Sequence, residues 1–211
     1  MFDMVSRGHA DIKRWGIVRT IRSQSTAEHQ YFVGIWTPIL MRFAKVQDPA
    51  LILQATEYAL HHDDPELVSG DVPTPLKKRL PPGLLDEATS FRITPPGPVP
   101  DFIAKAVKVL DYFEALAFLY EERSLGNTRV LRIANLLHSK FVKACYEFQT
   151  VASASDWCVG FDPVNKNHVY DALKKALDAV RNDQADPYEL YDEDTLTKIA
   201  DKADVEEFKV K

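Results

Sequence analysis

Residues 50–66 read ALILQATEYALHHDDPE, an apolar segment that ends in a run of ionisable side chains interrupted by one proline. Asp48 and Pro49 precede the segment, and this pair is typical of the N-cap and first turn of a helix. His62 falls on the same helical stripe as Ala55, so the spacing predicts that its imidazole points inward. The stretch therefore predicts a buried helix that carries ligand-type residues at its C-terminal end.

The rest of the chain shows the same helical periodicity with clear punctuation. Ser25 and Glu28 form a capping-box pattern, and the apolar residues behind them recur at three- and four-residue spacing. Strand-like alternation of convincing length is absent, so the sequence predicts an all-α protein. We expect further helices over residues 102–126, capped by Asp101, over 128–152, capped by Asn127, and over 165–181, with a proline-punctuated loop from 65 to 100 that is partly helical at LLDEATSF.

The composition indicates one globular domain. The 211 residues are 45% hydrophobic and 27% charged, and the net charge of −5 argues against general nucleic-acid binding, which usually needs a basic face. The two cysteines show no CxxC spacing and no disulfide framework, which favours a reducing cytoplasm. No signal peptide is visible, and no apolar run approaches the roughly 18 residues that span a bilayer. We therefore expect a cytoplasmic protein without a membrane or nucleic-acid partner.

Three ionisable residues stand where apolar residues belong. His29 and His62 lie on the apolar stripes of two helices, and Asp111 lies on that of a third. A single inward histidine is more often a satisfied core residue than a ligand. A buried aspartate is rarer, because an unpaired carboxylate in a core costs several kcal/mol. A divalent metal would satisfy all of these residues together, since imidazole and carboxylate ligands suit Mn, Co, Zn or Mg.

Several motifs, taken in order, resemble those of a known family. They are Arg14-Trp15 followed by Arg19, then STAEH, then HHDDPELVSGDVPTP, and then KVLD, which ends at Asp111. His29, the pair His62-Asp63 and Asp111 follow the H…HD…D order of the HD-domain metal-dependent phosphohydrolases. The set is most similar to the bacterial 5′-deoxynucleotidase branch and to phage deoxynucleoside triphosphohydrolases of that branch, including dATP-specific enzymes. The resemblance covers roughly residues 10–150.

The resemblance implies an HD-domain helical bundle with a metal site in its core. Residues 1–150 would form the phosphohydrolase core, and residues 151–211 a helical C-terminal extension that packs on the same domain and ends in an acidic tail. One divalent ion (Co, Mn, Zn or Mg) would be held by His29, His62, Asp63 and Asp111. Such a ligand set leaves positions open for a water and a phosphate oxygen. A homodimer or higher homo-oligomer is implied by the resemblance alone.

Two further carboxylates have catalytic roles in such enzymes. Glu66 lies one helical turn from His62 and resembles the glutamate that serves as general acid or base. Asp71, in SGDVPTP, resembles a second acidic residue that orients the attacking water or a sugar hydroxyl. An Asx turn that stabilises the loop is an equal alternative for Asp71. His61 and Asp64 bracket the motif, and we expect them at the surface or behind the ligands.

Basic and aromatic residues near these motifs would bind the substrate. The substrate-binding residues that the resemblance implies are Arg14, Trp15, Arg19, Lys77 and Lys108. Trp15 would contact the base or sugar, although it could equally anchor the first helix. Lys108, one turn before Asp111, would neutralise the scissile phosphate. The outer phosphates of a triphosphate would be bound by Lys77, together with Arg19 and with the neighbours of Lys77, Lys78 and Arg79.

The implied function is divalent-metal-dependent hydrolysis of the 5′ phosphoester of 2′-deoxynucleotides. The compact interval between Asp63 and Asp111 and the cations after PTP favour a dATP-type dNTP triphosphohydrolase, which releases deoxynucleoside and triphosphate. A 5′-deoxynucleotidase that acts on deoxynucleoside monophosphates is the alternative. A catalytically silent HD domain that binds a nucleotide or assembles with partners is a further alternative, against which the complete ligand set and Glu66 speak.

Overall fold

The computed structural model describes residues 5–89, 97–165 and 167–181. Within these ranges the chain is helical, and strands are absent apart from an isolated bridge between Lys13 and Ser25. The predicted all-α class is therefore confirmed. The α-helices are α1 (Thr26–Phe43), α2 (Pro49–His61), α3 (Glu66–Ser69), α4 (Thr74–Lys77), α5 (Leu84–Thr89), α6 (Asp101–Ser124), α7 (Leu131–Ser153) and α8 (His168–Arg181). Two 3-10 segments lie at Val5–Ala10 and Thr128–Val130.

Side-chain caps begin the first two helices, as the sequence predicts. The Ser25 hydroxyl accepts a hydrogen bond from the Glu28 backbone N–H at 3.1 Å. Asp48 Oδ1 accepts one from the Ala50 N–H at 2.8 Å. The Glu28 carboxylate does not close the reciprocal half of the predicted box, because it accepts a hydrogen bond from the Arg22 guanidinium at 2.7 Å. Glu28 therefore ties the start of α1 to the loop before it.

The helix α6 lies at the centre of the bundle. It packs against α1, α2, α7 and α8, and it contributes buried residues along most of its length. Its most deeply buried apolar residues include Phe102, Ile103, Leu110, Leu116, Phe118 and Leu119. The helix begins at Asp101 with Pro100 in the cap position, so the predicted cap is displaced by one residue. Because α6 also carries Asp111, core packing fixes the position of that carboxylate.

A glycine allows α1 and α2 to pack closely. A Cβ on Gly34 would lie 2.5 Å from Leu60 Cδ2, well inside ordinary contact. Gly34 lies five residues after His29, and Leu60 lies two residues before His62. The close approach of the helices therefore brings the two histidines toward each other.

Asn127 does not cap the next helix with its side chain, contrary to the prediction. Its Nδ2 donates to Glu122 Oε2 at 2.8 Å and to the Arg19 carbonyl oxygen at 2.9 Å. The 3-10 segment Thr128–Val130 then precedes α7. The amide of Asn127 serves a buried carboxylate, whose need for a donor outweighs that of an exposed helix end.

The loop before α1 (residues 14–25) is anchored to the end of α6. Glu122 is buried and accepts hydrogen bonds from the backbone N–H groups of Ile21 and Arg22, at 2.6 and 2.7 Å. The Arg22 guanidinium also lies over the Phe118 ring, 5.1 Å from its centroid. These contacts hold the segment that carries three of the predicted substrate-binding residues, Arg14, Trp15 and Arg19.

The helix α8 packs against α6 and α7. Its residues in the shared hydrophobic core include Val169, Leu173, Ala176 and Leu177. The predicted acidic tail lies in residues 182–211, outside the described residues, so the assignment of 151–211 as one extension stays a prediction. None of the described helices is both long enough and apolar enough to cross a membrane.

Candidate metal centre and active site

Four ligand-type side chains meet where the end of α2 faces α1 and the middle of α6. His29 Nε2 lies 3.3 Å from His62 Nε2 and 3.4 Å from Asp111 Oδ1. Asp63 Oδ2 lies 3.5 Å from His62 Nε2 and 3.6 Å from His29 Nε2. One potential ligand atom from each of His29, His62 and Asp111 lies within 4.8 Å of the other two. The structure therefore brings together all the residues that the sequence predicts as ligands.

The donor geometry of the two histidines fits a metal ion. His62 Nδ1 donates to the Ala59 carbonyl oxygen at 2.6 Å. His29 Nδ1 donates to Glu114 Oε2 at 2.5 Å. If both rings were neutral, their Nε2 lone pairs would face each other at 3.3 Å and could not hydrogen bond, so the pair needs a proton or a metal ion between the two nitrogens. A cation held between these nitrogens and the two aspartates would resolve the conflict, and imidazole with carboxylate is a typical zinc donor set.

Protonation of His29 balances the charge of the surrounding carboxylates. Burial and Arg14 oppose a charged His29, but Glu114 and Asp111 raise the pKa of its imidazole to about 9. Burial likewise opposes an ionised Asp111, yet His29 and Lys108 hold the pKa of that carboxyl well below its usual range. A metal ion would replace the proton on His29 Nε2, so metal binding is linked to proton release.

A buried glutamate that the sequence analysis missed supports His29. Glu114 lies three residues after Asp111 on α6. Besides the bond from His29, it accepts a hydrogen bond from Gln24 Nε2 at 2.5 Å, and Gln24 Oε1 accepts one from Trp15 Nε1 at 2.8 Å. Because an indole N–H can only donate, this chain fixes which end of Gln24 faces Glu114. The available signal was the one-turn spacing of two carboxylates on an otherwise apolar helix face.

Glu66 lies beside the centre as the first residue of α3. It is buried, and its carboxylate accepts hydrogen bonds from Thr26 Oγ1 at 3.5 Å and from Lys77 Nζ at 3.2 Å. Burial and the charge of Asp63 raise the pKa of Glu66 to about 7, although Lys77 opposes the shift. A carboxyl group with this pKa can hold or release a proton near neutral pH, as a general acid or base must.

Asp71 joins its loop to the loop before α1. Its Oδ2 accepts a hydrogen bond from the backbone N–H of Trp15 at 3.0 Å. The Asx-turn alternative fails, because the N–H that such a turn needs is missing at Pro73. Trp15 has a positive φ of 66°, which is uncommon for a bulky residue, and its indole stacks on Phe118 with the ring centroids 5.7 Å apart. Trp15 is thus firmly anchored.

The predicted phosphate-binding residues differ in how close they lie to the centre. Arg14 Nη1 lies 3.2 Å from Asp63 Oδ2, and its Nη2 lies 4.0 Å from Asp111 Oδ1. Lys108 Nζ lies 2.6 Å from Asp111 Oδ2. The side chain of Arg19 is exposed and enters no hydrogen bond or ion pair with the centre in the described part of the chain. The structure brings Arg14 and Lys108 to the centre, whereas a substrate contact by Arg19 stays a prediction.

Asp64 is buried behind the ligands and not at the surface. It accepts hydrogen bonds from His9 Nε2 at 3.0 Å and from His61 Nδ1 at 2.9 Å. His9 belongs to the 3-10 segment Val5–Ala10. The Asp64 carboxylate therefore fastens the N-terminal segment to the turn that carries Asp63, a contact that no motif in the sequence indicates.

The helical bundle is similar in fold to a solved HD phosphohydrolase. A solved structure of the cyanophage S-2L HD phosphohydrolase DatZ, bound to dA and one catalytic Zn2+ ion, matches 84% of this chain and 98% of that chain with a TM-score of 0.59. The two sequences are 22% identical, so this likeness shows the fold alone. The predicted HD-domain helical bundle is therefore confirmed.

Parts of the sequence are similar to known deoxynucleotide-cleaving enzymes. Residues 1–88 match the family of YfbR-like 5′-deoxynucleotidases. The dATP triphosphohydrolase of cyanophage S-2L is 44% identical over an alignment of 69 residues, and the match covers 31% of this chain. The match spans 37% of the cyanophage enzyme, little more than a third of its length. The resemblance that the ordered motifs indicate is thereby confirmed.

Proposed function

We propose that the chain is a divalent-metal-dependent hydrolase that cleaves the 5′ phosphoester of 2′-deoxynucleotides. The observation that carries this proposal is the convergence of two imidazole Nε2 atoms and two carboxylates beside the buried Glu66. Two comparisons support it, since one relative is a dATP triphosphohydrolase and the matching family is one of 5′-deoxynucleotidases.

One divalent ion would be held by His29, His62, Asp63 and Asp111. When bound, such an ion polarises a phosphoryl oxygen and lowers the pKa of a water. The two imidazoles suit Zn, Co or Mn better than Mg, which prefers oxygen ligands. We infer zinc, the ion named for the solved cyanophage structure.

The chain's own side chains would position the phosphate and handle the proton. Arg14 and Lys108 place positive charge beside the two aspartates, where they neutralise charge that develops on phosphoryl oxygens. With a pKa of about 7, Glu66 takes a proton from the attacking water or delivers one to the 5′ oxygen as the P–O bond breaks. Its burial and its contact with Thr26 hold the carboxyl group in place for this step.

We favour a dATP-type triphosphohydrolase that releases deoxynucleoside and triphosphate. The sequence similarity to the cyanophage dATP triphosphohydrolase supports this choice. The exposed cations that follow the PTP stretch support it too, namely Lys77, Lys78 and Arg79. The family match over residues 1–88 supports the alternative, a 5′-deoxynucleotidase that releases phosphate from a deoxynucleoside monophosphate. Both reactions break the same ester, so the difference lies in how many phosphates the site accommodates.

We expect Trp15 and Asp71 to form the wall of the site beside the sugar, and this wall would select against a 2′-hydroxyl. The hydrogen bond between the Trp15 N–H and Asp71 joins two loops, and the stacking of Trp15 on Phe118 prevents that wall from retreating. A ribose hydroxyl placed there would have to displace packed groups or lose its hydration. We also propose that Asp71 orients the water or a sugar hydroxyl with its second oxygen.

We further propose a cytoplasmic homodimer or higher homo-oligomer that acts on a small-molecule substrate. The net charge of −5 and the family resemblance support this view over a nucleic-acid partner. Light scattering coupled to size exclusion measures the oligomeric state directly.

A panel of deoxy- and ribonucleotides, from mono- to triphosphate, tests the proposed function. We expect the zinc-loaded protein to convert dATP into deoxyadenosine and triphosphate, identified by anion-exchange chromatography. Hydrolysis of dAMP alone would establish the alternative. His62→Ala and Asp63→Ala, each of which removes one predicted ligand, should abolish both stoichiometric zinc and turnover. Undiminished hydrolysis in these variants would contradict the assigned centre.

A further inference from the structure

A second lysine, Lys140, shares an aromatic ring with Lys108. Tyr112 follows Asp111 on α6, and two ammonium groups lie against its ring. Lys108 Nζ is 4.6 Å from the ring centroid and Lys140 Nζ is 5.9 Å from it, both within cation–π range. Since Lys108 also contacts Asp111, the tyrosine ring links the metal centre to Lys140 on α7.

Lys108 on α6 and Lys140 on α7 concentrate positive charge at this ring, and we call them the outer cation pair. Burial lowers the pKa of Lys140, and the charges of Lys78 and Lys108 lower it further, while Asp111 opposes the shift. In the described part of the chain, Lys140 has no carboxylate within ion-pair distance. Like charges that lie close together repel each other, so a polyanion bound between them would relieve that repulsion.

Lys77 is less suited to the same task. Its Nζ donates to Glu66 at 3.2 Å, so a phosphate would have to compete with the proposed catalytic carboxylate for this ammonium group. Lys140 can bind an anion without that competition. It also approaches from α7, outside the residues 1–88 that match the 5′-deoxynucleotidase family.

We propose that Lys140 binds the outer phosphates of a nucleoside 5′-triphosphate whose innermost phosphate lies against Lys108. The inference rests on the proposed function and names what would determine the preference for a triphosphate over a monophosphate. Lysine suits this role, because its ammonium group carries several donors and can serve more than one phosphate oxygen.

Equilibrium binding of dAMP, dADP and dATP measures the contribution of each added phosphate. The zinc-loaded, full-length chain carries Glu66→Gln in every sample to slow turnover, and calorimetry gives the dissociation constants. Adding Lys140→Met should weaken dATP by about 10- to 150-fold, the worth of a charged hydrogen bond, and leave dAMP unchanged. Lys140→Arg, which keeps the charge, should retain most of the dATP affinity.

A matched control lies on the same helix. Lys143 is 78% exposed and pairs with Glu147 at 3.6 Å, so Lys143→Met removes the same charge one turn away. It should leave all the affinities unchanged. The inference is overturned if Lys140→Met binds dATP as tightly as its parent, if it weakens dAMP equally, or if Lys143→Met has the same effect.

The outcome is separable from that of the proposed function. If the wild-type protein hydrolyses dATP and Lys140→Met leaves both dATP affinity and KM unaltered, the inference fails and the function stands. If no nucleotide is hydrolysed but dATP binds through Lys140, the function fails and the phosphate site stands.

Discussion

Glutamine in place of Glu114 tests how the centre holds His29. The change keeps the size of the side chain and removes its charge. The new amide oxygen can still accept from His29 Nδ1, but its NH2 group then faces the NH2 group of Gln24. The side-chain amide of Gln24 cannot flip by 180° to relieve this conflict, because its oxygen accepts the hydrogen bond from Trp15 Nε1, and that group can only donate. The variant therefore leaves two buried donors facing each other.

Two independent estimates of the loss of zinc affinity in Glu114→Gln agree. A hydrogen bond to a charged group contributes about 1.5–3 kcal/mol, which is about 10- to 150-fold in an equilibrium constant. Loss of the group that orients a metal-binding histidine typically lowers metal affinity by about 10- to 100-fold. We expect the zinc dissociation constant to rise by about 10- to 100-fold, measured by competition with a chromophoric chelator at fixed pH. The helical circular dichroism signal should be preserved.

A paired exchange separates the lost charge from the unsatisfied donors. With Gln24→Glu added to Glu114→Gln, the carboxylate at position 24 accepts from Trp15 Nε1 and from the amide at position 114. Every hydrogen bond is then made again, but the acceptor for His29 is neutral, so zinc affinity should recover in part. Glu147→Gln, which makes the same change in the part-buried pair with Lys105, should have no effect. Zinc affinity equal to wild type in Glu114→Gln would refute the proposed support of His29.

Three further predictions concern the same site. Glu66→Gln should keep stoichiometric zinc while kcat falls by at least about 10²-fold; loss of zinc would instead make Glu66 a ligand. Because zinc must displace a proton from His29, whose pKa is raised to about 9, zinc affinity should increase by about tenfold per pH unit up to that pKa and then level off; a flat profile in chelator competition would contradict the linkage. Asp71→Ala should loosen the wall beside the sugar and reduce the ratio of kcat/KM for dATP over ATP, and an unchanged ratio would show that the wall does not select the sugar.

The helices and the inward-facing ligands could be predicted because their signals are local. Ser25 and Asp48 mark the starts of two helices by side-chain chemistry that acts within three residues. Periodicity then assigns His29 and Asp111 to inward faces without any knowledge of the partners. That these faces meet at one point was supplied by the family resemblance and not by periodicity.

Contacts made by irregular segments with residues far away in the sequence could not be predicted. Gln24 and Glu114 are separated by 90 residues, and Trp15 and Asp71 by 56, and no repeat or spacing connects either pair. The cap predicted at Asn127 failed for the same reason, because a distant loop brings backbone groups to Glu122 and the asparagine amide joins them. A cap predicted from neighbouring residues therefore does not form where a buried group from another segment needs the same hydrogen-bond donor.

One face of α6 contributes four residues to the candidate site and to the loop that borders it. Asp111, Glu114, Phe118 and Glu122 follow one another at steps of three, four and four residues, which is the spacing of a single helix face. In order, they offer a ligand atom, support His29, stack on Trp15 and anchor the loop that carries Arg14. From Asp111 to Glu122, over eleven residue steps, the helix rises about 16.5 Å.

The spacing along that face makes the helix intolerant of length changes. One residue inserted or deleted between Asp111 and Glu122 would turn everything beyond it by about 100° and separate the ligand from the loop anchor. The pattern D-x2-E-x3-F-x3-E is consequently a sequence signature for this face of α6. It offers a way to recognise, from sequence alone, other HD-domain chains whose loop before the first ligand helix is fastened in the same manner.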